Sequence, residues 1–410
     1  MKLHQNRTRS NPVTKINSTN SEIFSVYTVF TDIKDKYSYI KDKIKDNNLA
    51  HIGQNKLCSN ERRHLTDNLE NKNQSAFVIY AGAAPCNHIW HLHLQFPNVK
   101  FLLIDPNSFI IIKPNQKKVT ISNLNNNNNR TVSDKIETFD NNFESYIQRM
   151  TDSKSSIFTV ISYFTLELAN SLNTQLNIIK MPYFFWSDIR TSSEENNFPT
   201  EDDVISNHIK QMLWCSVLNS TSSMLKFRCP YYSTLQISTS KLYTNLITKF
   251  TENELKLFED KFDIDIENMI NNKEFFCFDA EIYLQPWAGL GSTETRLVTS
   301  DYSKLINYDS IDYEDKMSFY NNKVRVGKTL YLANEETKID GETFLFRQDF
   351  ALDIWIWEQY FAKFYNEVDV NEIKQEMSNF LNFAGESRRS FTENKIKKPH
   401  RNQIKNEKRK

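Results

Sequence analysis

Long apolar runs are missing from this 410-residue chain. No stretch approaches the ~20 consecutive apolar residues of a membrane-spanning helix, and the opening MKLHQNRTRSNP holds no apolar signal segment. The expectation is a soluble protein, with no membrane partner and no export. Cysteine is sparse as well. Cys58, Cys86, Cys215, Cys229 and Cys277 form no CxxC pair, which speaks against a zinc site or a disulfide framework and fits a reducing compartment. No metal is expected. Only seven glycines accompany abundant Asn and Lys, a bias that codon usage explains as readily as function. No internal repeat is visible. Net charge is zero, with 51 basic and 51 acidic residues, but the balance is uneven. Residues 388–410 hold ten Lys/Arg against two acids and residues 1–20 hold four against none, so the middle carries about −12. Both ends (1–20 and 387–410) read as disordered basic tails, either solvated chain or a non-specific anchor on phosphates.

What is present is enough for a core: 39% apolar residues, including 29 Phe and 18 Tyr. The most informative stretch is FVIYAGAAPCNHIWHLHLQFPNVKFLLID, 77–105. It reads as strand, tight turn at Gly82 and Pro85, helix, strand and then Asp105. That is the opening of a doubly wound α/β sheet holding a nucleoside-containing cofactor, with the acid placed to accept hydrogen bonds from a ribose diol. Strands and helices alternate through most of the rest, giving one α/β domain over 21–386. Before the first strand come an arm over 22–44 and a helix over 51–69. After Asp105 a polar region carries the Asn run, read as a loop insertion over 123–130. A strand over 182–189, a helix over 203–218, a strand over 223–229 and further strands over 281–287 and 293–299 continue the sheet. Residues 233–278 read as an insertion, while 350–364 and 371–383 read as aromatic helices, the first packed against the sheet.

Four polar residues stand at strand or helix edges: Lys56 in the helix before the turn, Asp188 closing PYFFWSD, Lys226 inside SMLKFRC, and Glu294 opening TETRLV. Singly, each has an ordinary explanation as a cap, a snorkelling lysine or an edge charge. A lysine within an apolar strand is nevertheless costly unless a carboxylate meets it.

The order Lys, Asp, Lys, Glu resembles the tetrad of ribose 2′-O-methyltransferases that use S-adenosylmethionine. More closely, the chain resembles the poxvirus family of cap-specific mRNA (nucleoside-2′-O-)-methyltransferases, which also serve as the small, processivity subunit of the viral poly(A) polymerase. The likeness spans about 27–325 with gaps, and more loosely the rest. It rests on GQNKL (53–57), YAGAAP (80–85), LLID (102–105), SDIR (187–190), LKFRCPY (225–231), LQPW (284–287), TETRL (293–297) and DYEDKM (312–317).

The resemblance implies a Rossmann-like methyltransferase fold, with S-adenosylmethionine held by Tyr80, Gly82, Ala84, Pro85 and Asp105. It implies catalysis by Lys56, Asp188, Lys226 and Glu294, with Lys226 at the ribose 2′-hydroxyl. It also implies a pocket for methylated guanine between Tyr231 and Tyr39 (or Tyr37, should the register slip), with Glu314 on the base edge. The family's second acid falls at Ser233. The family turn has a glycine where this chain has Cys86, so the backbone there must avoid positive φ or accept strain. The implied activity is cap-1 formation in the virion and host cytoplasm. The implied partners are m7G-capped mRNA and the catalytic poly(A) polymerase subunit. Two other readings stay open: a non-catalytic RNA-binding subunit of that polymerase, and an FtsJ-like methyltransferase of uncapped RNA.

Overall fold

The run AFVIYA forms β1 (Ala76–Ala81) and is buried along its whole length. A strand covered on both faces can be apolar at every position, because alternate side chains enter different layers. Phe77, Ile79 and Ala81 join one cluster with the helices α4 (Leu166–Ile178) and α5 (Glu201–Leu218). Ala76, Val78 and Tyr80 join another, with α1 (Gly53–Asn68), α2 (Ile89–Gln95) and α10 (Arg347–Phe364). The computed structural model describes residues 26–38, 53–113, 119–122, 130–191, 199–235, 237–289, 291–325, 338–339, 342–343 and 347–365.

Among these, β2 (Val99–Ile104), β5 (Arg130–Ser133), β6 (Ile136–Phe139), β7 (Ile157–Val160), β8 (Tyr183–Ser187), β9 (Ser222–Phe227), β11 (Glu281–Tyr283) and β12 (Thr295–Thr299) join β1 in one sheet. Three small two-stranded pairs lie apart: β3 (Phe109–Ile111) with β4 (Val119–Ile121), β10 (Phe276–Phe278) with β13 (Leu305–Asn307), and β14 (Lys338–Ile339) with β15 (Glu342–Thr343). The sheet order is β11-β12-β9-β8-β1-β2-β7-β6-β5. Neighbours from β9 to β6 are parallel. β12 lies antiparallel between β9 and β11, and β5 antiparallel to β6. Successive strands leave β1 first to one side and then, from β8, to the other. The crevice at their carboxyl ends is where such sheets take ligands.

The α/β expectation therefore stands, with local corrections. The polar region after Asp105 contains β3 to β6 and α3 (Tyr146–Asp152), and β5 and β6 extend the sheet edge. The strand expected over 281–287 ends at Tyr283, and the chain turns with Trp287 at φ +62°. Residues 233–278 hold α6 (Thr239–Ile247), α7 (Glu252–Phe262) and α8 (Ile266–Asn271), whose Leu242, Leu246, Phe258, Ile266 and Ile270 enter the same core as α5. The arm, over 26–38, does lie across the core: Thr28 O accepts from Leu284 N–H at 3.2 Å, and Phe30 stacks on Tyr313 of α9 (Ser310–Phe319) at 4.9 Å. Residues 123–129 of the Asn run, the helix expected over 371–383 and both basic ends lie outside the described residues.

The aromatic helix packs on α1, with Arg62 3.6 Å over the Trp357 ring, and its Trp357, Tyr360 and Phe361 join the core cluster that holds residues of β1, β2 and β8. α1 is polar in sequence yet buried on most sides, and many of its polar groups are matched, although both side-chain atoms of Asn55 find no hydrogen-bond partner among the described residues. Arg62 Nε donates to Gln95 Oε1 at 2.8 Å. Trp186 Nε1 donates to His64 Nδ1 at 3.0 Å, which leaves His64 Nε2–H to donate to Ser222 Oγ at 2.9 Å. Burial holds His64 neutral, its pKa lowered to about 3.

Candidate active site

At the carboxyl edge the chain leaves β1 through Gly82, whose φ is +72°. A side chain here would be strained, and it would also collide: an added Cβ would lie 2.7 Å from Ile189 N and 2.9 Å from Asp188 C. The residue expected to admit a ligand thus also admits the segment that follows β8. Cys86 adopts φ +53° while fully buried, so the chain accepts the left-handed conformation without glycine, at roughly 1–2 kcal/mol. Pro85 O accepts from Ile110 N–H at 2.8 Å, which ties the turn to β3.

Asp105 stands just beyond β2. Its Oδ2 accepts from Ala84 N–H at 3.1 Å, and its Oδ1 accepts from Asn107 N–H at 2.8 Å and Asn107 Nδ2 at 2.9 Å. Burial raises its pKa, against the pull of these bonds. Oδ2, with a single donor, keeps acceptor capacity, so the carboxylate can still accept from a ribose hydroxyl. Tyr80 points elsewhere: its hydroxyl donates to Glu61 Oε1 at 2.8 Å on the α1 side, and its ring meets Trp186 edge-on. Glu61 in turn meets His88 Nε2 at 2.6 Å, and His88 Nδ1 lies 2.8 Å from Gln54 Oε1. The turn is thereby fastened to the helix that carries Lys56.

The four tetrad residues converge. Lys226 on β9 donates to Asp188 Oδ1 at 3.1 Å and lies 3.3 Å from Glu294 Oε2. Lys56 donates to Glu294 Oε1 at 2.5 Å. A fifth residue, Arg296, joins both acids at 2.7 Å to Asp188 Oδ1 and 3.4 Å to Glu294 Oε1. Its Nε donates to Gln285 Oε1 at 2.9 Å, while Gln285 Nε2 donates to Glu294 O at 2.9 Å. Burial would raise both acids, but Lys226 and the other cations outweigh it, so Asp188 titrates low and Glu294 well below its ordinary value. Burial lowers Lys56 despite Glu294. Three cations against two carboxylates leave one positive charge over. Arg296 is a member the sequence reading missed. It faces Lys226 directly in the β9–β12 register, a signal that needs the strand pairing to be known.

A second cluster lies past β9. Glu314 on α9 is buried; its Oε2 accepts from Ser233 Oγ at 2.5 Å, and its Oε1 has no partner among the described residues. Burial, the main cause, raises its pKa to about 7. Tyr231 hydrogen-bonds Thr293 through its hydroxyl at 2.5 Å, and its N–H donates to Glu201 Oε2 at 2.8 Å. Arg228 binds both Glu201 oxygens at 3.0 Å and lies 4.2 Å from the Tyr231 ring centre. Ser233, where the family's second acid falls, therefore touches Glu314 directly. Tyr39 lies outside the described residues, whereas Tyr37 N–H donates to Asp315 O at 3.1 Å, beside Glu314.

No family model matches the chain. It is similar to the cap-specific mRNA (nucleoside-2′-O-)-methyltransferase of Fowlpox virus (strain NVSL), with 24% identity over 315 residues, 74% of this chain and 78% of that protein. This likeness supports a poxvirus-type methyltransferase family, and with it an RNA methyltransferase dependent on S-adenosylmethionine. The central, mostly parallel sheet fits a Rossmann-like methyltransferase.

Proposed function

We propose that this chain methylates the ribose 2′-hydroxyl of the first transcribed nucleotide of m7G-capped RNA. The observation that carries the proposal is Lys226 held between Asp188 and Glu294 at the mouth of the crevice that Gly82 and Asp105 border. S-adenosylmethionine supplies an electrophilic methyl group, and the chain must align an oxygen with it and assist loss of the proton. An ammonium that donates to Asp188 and pairs with Glu294 at 3.3 Å still has a proton to direct elsewhere. Loss of that proton turns a lone pair in the same direction, able to accept from the 2′-hydroxyl. Arg296 and Lys56 keep both carboxylates ionised, so they hold Lys226 in place without taking its proton.

Cap selection rests on the second cluster. A methylated guanine offers a cationic ring for stacking and N–H donors on its edge. Tyr231 supplies an aromatic face, and the unpartnered Glu314 Oε1 supplies a buried acceptor. The test is transfer of labelled methyl from the cofactor to short capped and uncapped RNA. Wild-type protein should prefer capped RNA, and Lys226→Ala should lose about 10²–10⁴-fold in rate. Undiminished transfer by Lys226→Ala would remove the proposal, and preference for uncapped RNA would favour a methyltransferase of another RNA class.

A further inference from the structure

β8 and β9 pair in parallel only as far as Ser187 and Leu225. Beyond that point the chain after β8 turns off to place Asp188, and β9 continues without its neighbour. The carbonyl of Phe227 still has a partner on the other side, accepting from Thr295 Oγ1 at 3.2 Å. The carbonyls of Lys226 and Arg228 are met instead by two side chains of α5. Gln211 Nε2 donates to Lys226 O at 3.2 Å, and His208 Nε2 lies 2.9 Å from Arg228 O. A carbonyl can only accept, so His208 carries its proton on Nε2. Burial, the main cause, holds its pKa at about 3, so the ring is a neutral donor. Its plane is set edge-on against Phe227 at 5.3 Å and Phe275 at 5.0 Å.

Gln211 is almost wholly buried, and its Oε1 has no partner among the described residues. An apolar residue would avoid that unsatisfied oxygen, so ordinary packing does not account for a glutamine here. One helix turn presents both donors, spaced i and i+3, to carbonyls two residues apart on an extended strand. They stand in for the missing strand where the sheet splits around the site.

We propose that Gln211 and His208 are positioning residues: Gln211 fixes the backbone of Lys226, and His208 fixes that of Arg228, which leads into the Tyr231 pocket. The inference rests on the reading of Lys226 as the residue at the 2′-hydroxyl. The two roles are separable. Gln211→Leu should lower kcat about tenfold to hundredfold with KM for capped RNA little changed, because the donor sits behind Lys226 alone. His208→Phe should raise KM for capped RNA about tenfold with a smaller effect on kcat, and His208→Gln, which keeps an amide donor, should recover most of it. Should Gln211→Leu not fold, the volume-matched Gln211→Met takes its place. Each variant is assayed on full-length protein, beside Lys226→Ala. If Lys226→Ala is inactive but both α5 substitutions keep wild-type kcat and KM, the positioning role is wrong while the site assignment stands. If Lys226→Ala is active, the site assignment itself fails. Equal effects of both substitutions on kcat and KM, with no recovery by His208→Gln, would reduce the two residues to general stability and overturn the inference.

Discussion

Arg296 illustrates how one buried side chain serves two acids that would otherwise repel each other. It is fully enclosed, and burial is offset by Asp188 and Glu294, so its pKa is raised. Arg296→Met would remove the cation that bridges Asp188 and Glu294 and leave only Lys56 and Lys226 to face them, and breaking a buried pair costs about 3–5 kcal/mol. Urea unfolding should show a loss of that size, with methyl transfer to capped RNA reduced in parallel; an unchanged midpoint would deny the arginine this role. Gly82 offers a second check. Gly82→Ala meets both a positive φ and the backbone of Ile189, so it should lower stability by about 1–3 kcal/mol and displace Asp188, with methyl transfer falling steeply.

Glu314 gives a pH dependence. Its folded pKa of about 7 lies above its ordinary value, so the folded state binds the proton more tightly. The favourable contribution is present below the unfolded pKa and is lost as pH rises from the usual carboxylate range to about 7. Comparing unfolding of wild type with Glu314→Gln across that window should show the difference drifting against the wild type. Binding runs the opposite way, since an ionised carboxylate is the better acceptor for a base edge. Affinity for m7GTP should fall as pH drops below about 7 in the wild type and flatten in Glu314→Gln. Titration of the nucleotide is common to both proteins and cancels in the comparison. Parallel curves would exclude Glu314 from the pocket.

At the scale of elements, the pair α1 and α10 holds the Lys56 helix against the sheet. Trp357 is buried and sandwiched by Arg62 on one side and Phe361 at 5.8 Å. Trp357→Ala should cost about 3–5 kcal/mol, read as an earlier melt. What was legible in the sequence divides along similar lines. β1, β2, β8 and β9 were visible because central parallel strands are continuous apolar runs closed by an acid or interrupted by one lysine. β5 and β6 were not, because edge strands carry few apolar residues and the Asn run masked their boundaries. Lys56, Asp188, Lys226 and Glu294 stood out as charges where apolar residues belong. Arg296 carries no such signal, since a charge is ordinary on an alternating strand, and only the strand pairing sets it opposite Lys226. The second role of Gly82 depends on a neighbour 107 positions away, at Ile189, which no local pattern announces.

At the scale of the whole molecule, the uneven charge separates two kinds of affinity. Ten Lys/Arg against two acids in residues 388–410 should add RNA binding that weakens with salt, as counterion release requires. Removing that segment should lower RNA affinity at low salt and leave cofactor affinity unchanged; equal RNA affinity at all salt concentrations would exclude the contribution. The antiparallel entry of β12 has its own effect on when the protein becomes competent. Because β12 runs against its neighbours, its first residues, not its last, reach the crevice, and Lys56 waits for an acid 238 positions later. During synthesis, a nascent chain would display the cofactor turn and Lys226 long before Glu294 and Arg296 emerge. Non-local pairing of this kind is slow to form, so the site is assembled last, and truncated products that stop before β12 should be inert.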